Sequence, residues 1–304
     1  MRIGVDFGGT RIKTAVVVDG EITQGHAIDT PVGASPGEFV ERIAAEVHAL
    51  APDPTSVGLA VPGQVDSDGM VWRMPNVPGF EAFHIGRELG RRVGCPVAVE
   101  NDATTAALGE HLWGRGRGFS SFLMVTLGTG IGGGLVIANT LCRGAHGFAG
   151  EVGHVNIDSS LDAALCSCGK RGCVEAYAGT RALLAKYAKL GGQATRVRDI
   201  AEAARRGESA ALEVFAQQGR ALGSLLARVQ SLVDLDAVVF SGGVSAAFDL
   251  FEPSLRETLT AQVFAAPLGQ IPLVVSQLGA RAGLVGAAYL PTLRPNPERA
   301  IDDY

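Results

Sequence analysis

What this chain lacks narrows the field before any motif is read. It has no excess of positive charge: 26 Lys+Arg against 31 Asp+Glu leave a net charge of −5, so no basic face is available to neutralise a nucleic-acid backbone. Neither sign gathers into a long run, and the charges read as solvated surface. No apolar stretch approaches the roughly 18 to 20 residues that a membrane-spanning helix needs. A strand pattern begins at residue 2, so no signal peptide is expected ahead of it. Cysteine is scarce and odd in number, with three of the five inside Cys166–Cys173; a secreted disulfide framework does not look like this. There is no GxxxxGK[ST], so Lys13 is not a P-loop lysine. The letters GxGxxG occur at Gly128–Gly133, but they lead into a strand pattern, which rules out a dinucleotide-binding βαβ unit on context. The expectation is a soluble cytoplasmic protein with neither nucleic acid nor membrane as partner.

What is present suits two α/β domains. The 304 residues are 47% hydrophobic and 19% charged, enough apolar material for two cores without disulfide staples. Residues 2–7 form an apolar strand that enters a Gly8-Gly9-Thr10 turn, with strands at 12–18 and 21–28 around the hairpin turn Asp19-Gly20. Ser35-Pro36-Gly37-Glu38 has capping-box spacing, and Phe39, Ile43, Val47 and Leu50 follow at helical period. Strand 56–61 leads to Pro62-Gly63, and a helix near 83–93 precedes strand 96–99. A helix then runs from Asn101 or Asp102 to about Trp113. The run 114–118 (GRGRG) is the linker candidate. Beyond it the opening theme returns: strand 120–127, Gly-rich turn 128–134, strand 135–138. A third turn, Gly242-Gly243, follows strand 237–241. The remainder reads as helices near 180–190, 198–206, 208–232, 245–262 and 281–290, interrupted by strand 272–276. The expected domains are 1–115, completed by the helix at 281–292, and 116–280, which carries a loop at 154–175.

Any one Gly turn is an ordinary hairpin. Three of them, each ending a buried-looking strand, point to backbone N–H groups approaching phosphate without Cβ obstruction, in halves that close on a ligand. The sharpest local signal is Cys166-Ser-Cys168-Gly-Lys-Arg-Gly-Cys173 with His154 twelve residues upstream. Three thiolates and an imidazole suit a closed, structural, tetrahedral zinc site; a disulfide or buried free thiols are the alternatives. Cys95 and Cys142 read as core thiols. Glu151 and Glu175 flank the cluster, either as surface charges or as planar acceptors for adjacent hydroxyls. Asp102 stands where a strand meets a helix, as an N-cap or as a carboxylate that orients a hydroxyl and takes its proton. Asp6 either initiates a turn or holds Mg²⁺ through water.

Taken together these residues resemble the ROK sugar kinases and repressors, within the actin-like, hexokinase-like ATPase fold, over nearly the whole chain. The resemblance rests on Asp6-Phe-Gly8-Gly9-Thr10-Arg-Ile-Lys13, Pro62-Gly63, Pro75-Asn76-Val-Pro78-Gly79, Glu100-Asn101-Asp102, Gly128-Thr129-Gly130-Ile131-Gly132, Gly150-Glu151-Val-Gly153-His154 and Cys166-x-Cys168-Gly-x-x-Gly-Cys173-x-Glu175. It implies a two-domain, ribonuclease H-like α/β fold with a cleft between lobes. It implies that Asn101, Asp102, Glu151, His154 and Glu175 grip a sugar, with Gly63 and Asn76 near the pocket and Asp102 as general base. Nucleotide would be met by Asp6, Gly8, Gly9, Thr10, Lys13, Gly128, Thr129 and Gly130 at the phosphates, and by Gly242 and Gly243 near the adenosine. His154, Cys166, Cys168 and Cys173 would hold structural zinc, and Mg²⁺ would arrive with ATP. The chain departs from the family pattern at Asp162-Ala-Ala-Leu165, where Pro or Gly often precedes the first loop cysteine, and at Gln64, where Pro is common.

The implied activity is transfer of the ATP γ-phosphate to a hexose, glucose first, in a homodimer. N-acetylmannosamine, N-acetylglucosamine, fructose and a cyclitol are the other substrates weighed, and polyphosphate the other donor. The family's repressors carry an N-terminal winged-helix segment of several tens of residues, whereas here the ATPase strand starts at residue 2. A silent sugar sensor is expected to lose the base or the phosphate turns, both of which this chain keeps.

Overall fold

In the computed structural model, residues 1–293 are described, apart from 32, 76 and 78. The chain separates into two compact units, and each has its own apolar core. The first comprises Met1–Trp113, Arg143–Phe148 and the stretch from Arg281; the second comprises Gly114–Cys142 and Ala149–Ala280.

The first unit is built on strands β1 (Arg2–Phe7), β2 (Arg11–Val18), β3 (Glu21–Asp29), β4 (Ser56–Val61) and β7 (Val97–Asn101), in the order β3-β2-β1-β4-β7. The first two pairings are antiparallel and the last two parallel. Between β3 and β4 lies α1 (Pro36–Leu50). Its capping box forms as the spacing predicts: Ser35 Oγ accepts the Glu38 N–H, and Glu38 Oε2 accepts the Ser35 N–H at 2.7 Å. A cap of this kind stabilises a helix by about 1 kcal/mol. Phe39, Ile43, Val47 and Leu50 are all buried, and the rings of Phe7, Phe39 and Phe80 pack with centroids 5.1–5.8 Å apart. The two-stranded hairpin β5 (Gln64–Val65) and β6 (Val71–Arg73) precedes α2 (Ile85–Val93). The helix α3 (Asp102–Trp113) starts directly at the end of β7.

The C-terminal helix Ala282–Tyr289 packs against β1, β4 and α3. Its approach is too close for side chains at the crossing. A Cβ on Gly286 would run into the Thr105 carbonyl, and one on Gly4 into the Leu284 carbonyl. This helix is therefore a core element of the first unit although it is distant in sequence.

The second unit repeats the sheet. Strands β8 (Phe122–Leu127), β9 (Ile131–Ile137), β10 (Thr140–Cys142), β11 (Ala237–Ser241) and β12 (Leu273–Val275) have the order β10-β9-β8-β11-β12. Again two antiparallel pairings are followed by two parallel ones. The recurrence of strand–turn–strand in the sequence is thus the visible part of a repeated topology. The helices are α4 (Glu175–Ala178), α5 (Thr180–Lys189), α6 (Val197–Arg205), α7 (Ser209–Val233) and α8 (Phe248–Gln262), with α7 packed along α8.

Three local expectations need correction. The Gly-rich turn at 128–134 is shorter than its composition suggests, because β9 already starts at Ile131 and Gly132–Gly134 pair with Met124–Thr126. Small residues are needed there because Gly150 and Val152 lie against Gly133. The linker candidate is not open coil: Arg115–Gly118 forms a 3₁₀ turn with Gly116 buried. Cys95 and Cys142 are half-buried rather than fully buried, Cys95 packing against the edge of the first unit's core. Among the described residues no helix is long and apolar enough to cross a membrane.

Replacing Gly286 by Ala is expected to cost about 2–3 kcal/mol, the usual range for overpacking a rigid contact, while Gly118→Ala, with nothing within 4 Å of its Cβ, should stay within about 0.5 kcal/mol of wild type. Urea denaturation of both variants measures this; equal midpoints would contradict the close-packed crossing.

Candidate functional site

Each unit carries the same device at its first strand turn. In the first, Gly8 N–H donates to the Arg11 carbonyl at 2.9 Å, closing the β1–β2 turn, and the Gly8 carbonyl accepts the Thr30 hydroxyl at 2.7 Å. In the second, Gly128 N–H donates to the Gly130 carbonyl at 3.0 Å, and the Gly128 carbonyl accepts the Thr180 hydroxyl at 2.7 Å. A threonine thus fixes the root of each turn, while Gly9, Thr10 and Thr129 at the tips are exposed. Backbone N–H groups presented this way form a ready anion site. Asp6, at the end of β1, accepts the Lys13 ammonium at 3.0 Å. The third turn is also exposed: Gly242, at φ +86°, and Gly243 follow β11, and the Ser245 hydroxyl donates to the Gly242 carbonyl at 2.7 Å.

At the β7–α3 junction of the first unit the capping question is resolved. Asn101 Oδ1 accepts the N–H groups of Ala103 and Thr104 at 2.9 and 3.1 Å, so Asn101 caps α3 with its side chain. Its Nδ2 donates to the Gly63 carbonyl at 3.1 Å, which joins Gly63 and Asn101 in one patch. Asp102 Oδ1 accepts its neighbour's N–H, that of Ala103, at 2.8 Å. Behind the junction lies Glu100, which sequence reading assigned no role. Its side chain is 2% exposed and is paired with Arg143. Burial pushes the Glu100 carboxyl up, against the opposing pull of Arg143 and of the Asn101 N–H. Removing Arg143 would leave the buried carboxylate without its cation, at a cost below the roughly 3–5 kcal/mol of a fully buried pair because the guanidinium is partly solvated. A lone arginine in the run Arg143-Gly-Ala-His-Gly carries no sequence signal to distinguish it from a solvated charge. Asn76 lies outside the described residues.

In the second unit the four residues read from spacing come together. One donor atom from each of His154, Cys166, Cys168 and Cys173 lies within 4.8 Å of the others, a group able to hold a metal ion. His154 Nδ1 is 3.8 Å from Cys166 Sγ, and Cys168 Sγ is 3.8 Å from Cys173 Sγ. The loop curls at Gly172, whose φ is +81° and whose Cβ would meet the Asp158 carbonyl. The Cys173 thiol is pushed up to about 12 by burial, by the Cys168 side chain and by the charge of Cys166. Thiols so placed resist ionising together unless a cation joins them.

Glu175 opens α4 and is engaged on both oxygens. Oε2 accepts the Ile131 N–H at 3.0 Å, at the foot of the Gly128–Gly130 turn, and Oε1 accepts the Ser167 hydroxyl at 2.6 Å from within the cysteine loop. Glu151 lies 3.9 Å from His154 Nε2 and keeps 43% of its side chain exposed. Burial of the rest raises its carboxyl and Glu175 adds to that rise, while His154 opposes it. The residues assigned to sugar divide between the units, with Gly63, Asn101 and Asp102 in the first and Glu151, His154 and Glu175 in the second.

Comparison with known proteins identifies the family. The sequence profile of the ROK family matches residues 2–293. A glucokinase of Streptomyces coelicolor is 36% identical over 98% of this chain and 99% of its own length. An N-acetylgalactosamine kinase, AgaK, of a Shewanella species is 32% identical over 95% of this chain and 96% of its own. The crystal structure of a ROK family glucokinase from Streptomyces griseus, in complex with glucose and AMPPNP, superposes with a TM-score of 0.80 at 36% identity, covering 95% of this chain and 98% of that one. The expected two-unit α/β, actin-like ATPase architecture holds, and the chain belongs to the ROK family.

Proposed function

We propose that this protein is an ATP-dependent sugar kinase that transfers the γ-phosphate to a hexose hydroxyl, with glucose as its substrate. The observation that carries the reading is the presence, in one ROK chain, of two threonine-rooted phosphate turns, an Asn101-Asp102 junction and a carboxylate-bearing cysteine loop. The glucose assignment draws on the 36% identity to a named glucokinase, and the similarity to AgaK keeps an N-acetylhexosamine as the second reading.

In this reading the turn tips at Gly8–Thr10 and Gly128–Gly130 meet the phosphates, and Gly242 and Gly243 leave room for the adenosine. Asn101, Glu151, His154 and Glu175 accept or donate hydrogen bonds to sugar hydroxyls. Asp102 orients the attacking hydroxyl and takes its proton, the contribution that phosphoryl transfer asks of the protein besides positioning. Asp6 would meet the Mg²⁺ of MgATP, which neutralises charge on the phosphate oxygens.

The cysteine cluster fits zinc in both donors and size. Tetrahedral coordination with Zn–S near 2.3 Å sets sulfurs about 3.8 Å apart, the separation found between Cys168 and Cys173. His154, Cys166, Cys168 and Cys173 would hold the ion in a closed site, so its part is to pin the loop. Glu175 follows Cys173 by two residues and gains a fixed position from that pin.

In a coupled ADP-release assay over a panel of hexoses and amino sugars, glucose is expected to give the highest kcat/KM, and Asp102→Asn to lower kcat by about 10² to 10⁴, as loss of a positioned base does. Preference for an N-acetylhexosamine would replace the glucose assignment, whereas an Asp102→Asn enzyme within a few fold of wild type would remove the base. Plasma mass spectrometry should find about one zinc per chain, as a four-ligand site requires, and close to none in Cys168→Ala, with activity lost. Full turnover by metal-free protein would contradict the pinning role.

A further inference from the structure

Glu100 occupies the last position before Asn101-Asp102, and a carboxylate buried there must find donors for both oxygens. It does. Oε1 accepts the Asn101 N–H at 2.8 Å and Oε2 accepts the Nε–H of Arg143. Arg143 reaches on through Nη2 to the Asp66 carbonyl at 3.3 Å. Asp66 is itself fixed, since its carboxylate accepts the N–H groups of Asp68 and Met70 at 3.0 Å and the indole N–H of Trp72 at 2.7 Å. Gly147, at φ +90°, presses on the same turn, where a Cβ would lie 2.6 Å from the Asp66 carbonyl carbon. The short segment Arg143–Phe148 is thus fastened to the first unit at Arg143 and again at Gly147. The first of these ties ends on the residue that precedes Asn101.

Stability alone does not call for ions at this place, because apolar residues of similar volume often replace a buried pair without loss. An apolar pair would, however, leave the Asn101 N–H without its acceptor. The other polar groups of Asn101 are engaged as well: Oδ1 with α3, one Nδ2 hydrogen with Gly63, and the carbonyl with the Thr105 hydroxyl at 2.7 Å. Glu100 completes that set from behind the junction.

We propose that Glu100, anchored by Arg143, is a positioning residue for phosphoryl transfer: its carboxylate holds the Asn101 N–H and so sets the direction in which Asp102 leaves β7. The proposal rests on the reading of Asp102 as base. Gln at position 100 has one amide oxygen for two donors: with it on the Asn101 N–H, the amide NH2 faces the Arg143 guanidinium and the anchor is released. Lys at position 143 keeps a charge for Glu100 and loses the guanidinium's second point of attachment, the Nη2 bond to the Asp66 carbonyl.

The test uses the full-length enzyme with saturating sugar and MgATP. Glu100→Gln is expected to lower kcat by about 10- to 100-fold, the scale of a small misplacement of a reacting group, with KM for ATP and zinc content unchanged. Placed in the Asp102→Asn enzyme, the same substitution should change the residual rate by less than about two-fold, because the group it positions is gone. Arg143→Lys should fall between wild type and Glu100→Gln in kcat, and it carries the test if Glu100→Gln does not fold. Wild-type kcat in both variants would overturn the proposal. So would an equal fold-loss from Glu100→Gln in the Asp102→Asn and wild-type backgrounds, which marks a general structural effect. If Asp102→Asn itself retains wild-type kcat, the base assignment fails and the positioning role fails with it; a large loss there and none from Glu100→Gln or Arg143→Lys sinks the positioning role alone.

Discussion

Convergence of one imidazole and three thiols to within 4.8 Å is the constraint on which the rest of the second unit's site depends. The chain between His154 and Glu175 has almost no regular structure of its own, only isolated bridges joining Asn156 to Cys173 and Leu165 to Arg171. Its ends are packed on the second unit's core through Val155, Ile157 and Val174, but in its middle Leu161 and Leu165 are exposed. The middle of the segment therefore recovers little of its ordering entropy from apolar burial. A metal bound by four side chains can supply on the order of 10 kcal/mol, which is enough to fix the path.

Fixing the path has a consequence at the other end of the loop. Glu175 is held between Ser167, inside the loop, and the Ile131 N–H, where β9 leaves the Gly128–Gly130 turn. The same carboxylate is therefore part of the cysteine loop and part of the turn's support. Thr180, five residues further on, roots the Gly128 carbonyl. One stretch of sequence thus shapes both the carboxylates proposed for sugar and the backbone proposed for phosphate. The first unit fixes its Asn101-Asp102 junction differently, through a buried Glu100 held by the half-buried Arg143 and through hydrogen bonds of the Asn101 side chain to α3 and Gly63.

Much of this was legible because the signals are local. Ser35 and Glu38 announce a helix start by spacing alone, and Cys166, Cys168 and Cys173 announce a cluster in the same way. The strand–turn–strand recurrence showed the repeat, since Gly8 and Gly128 interrupt otherwise apolar runs. What sequence did not reveal depends on distant partners. The beginning of β9 at Ile131 is hidden because Gly132–Gly134 show no alternation, and only pairing with β8 makes them a strand. Lone charges such as Glu100 and Arg143 look like surface until the fold buries the first against the second, and the excursion of Arg143–Phe148 into the first unit has no mark in composition. The hydrogen bonds of Glu175 to both loop and turn are equally a product of tertiary contact.

Zinc K-edge X-ray absorption on the purified protein tests the central claim most directly. A closed site formed by His154 and the three cysteines predicts three sulfur scatterers at about 2.3 Å and one nitrogen at about 2.0–2.1 Å, with no water in the shell. A spectrum dominated by oxygen, or one with fewer than three sulfurs, would contradict it.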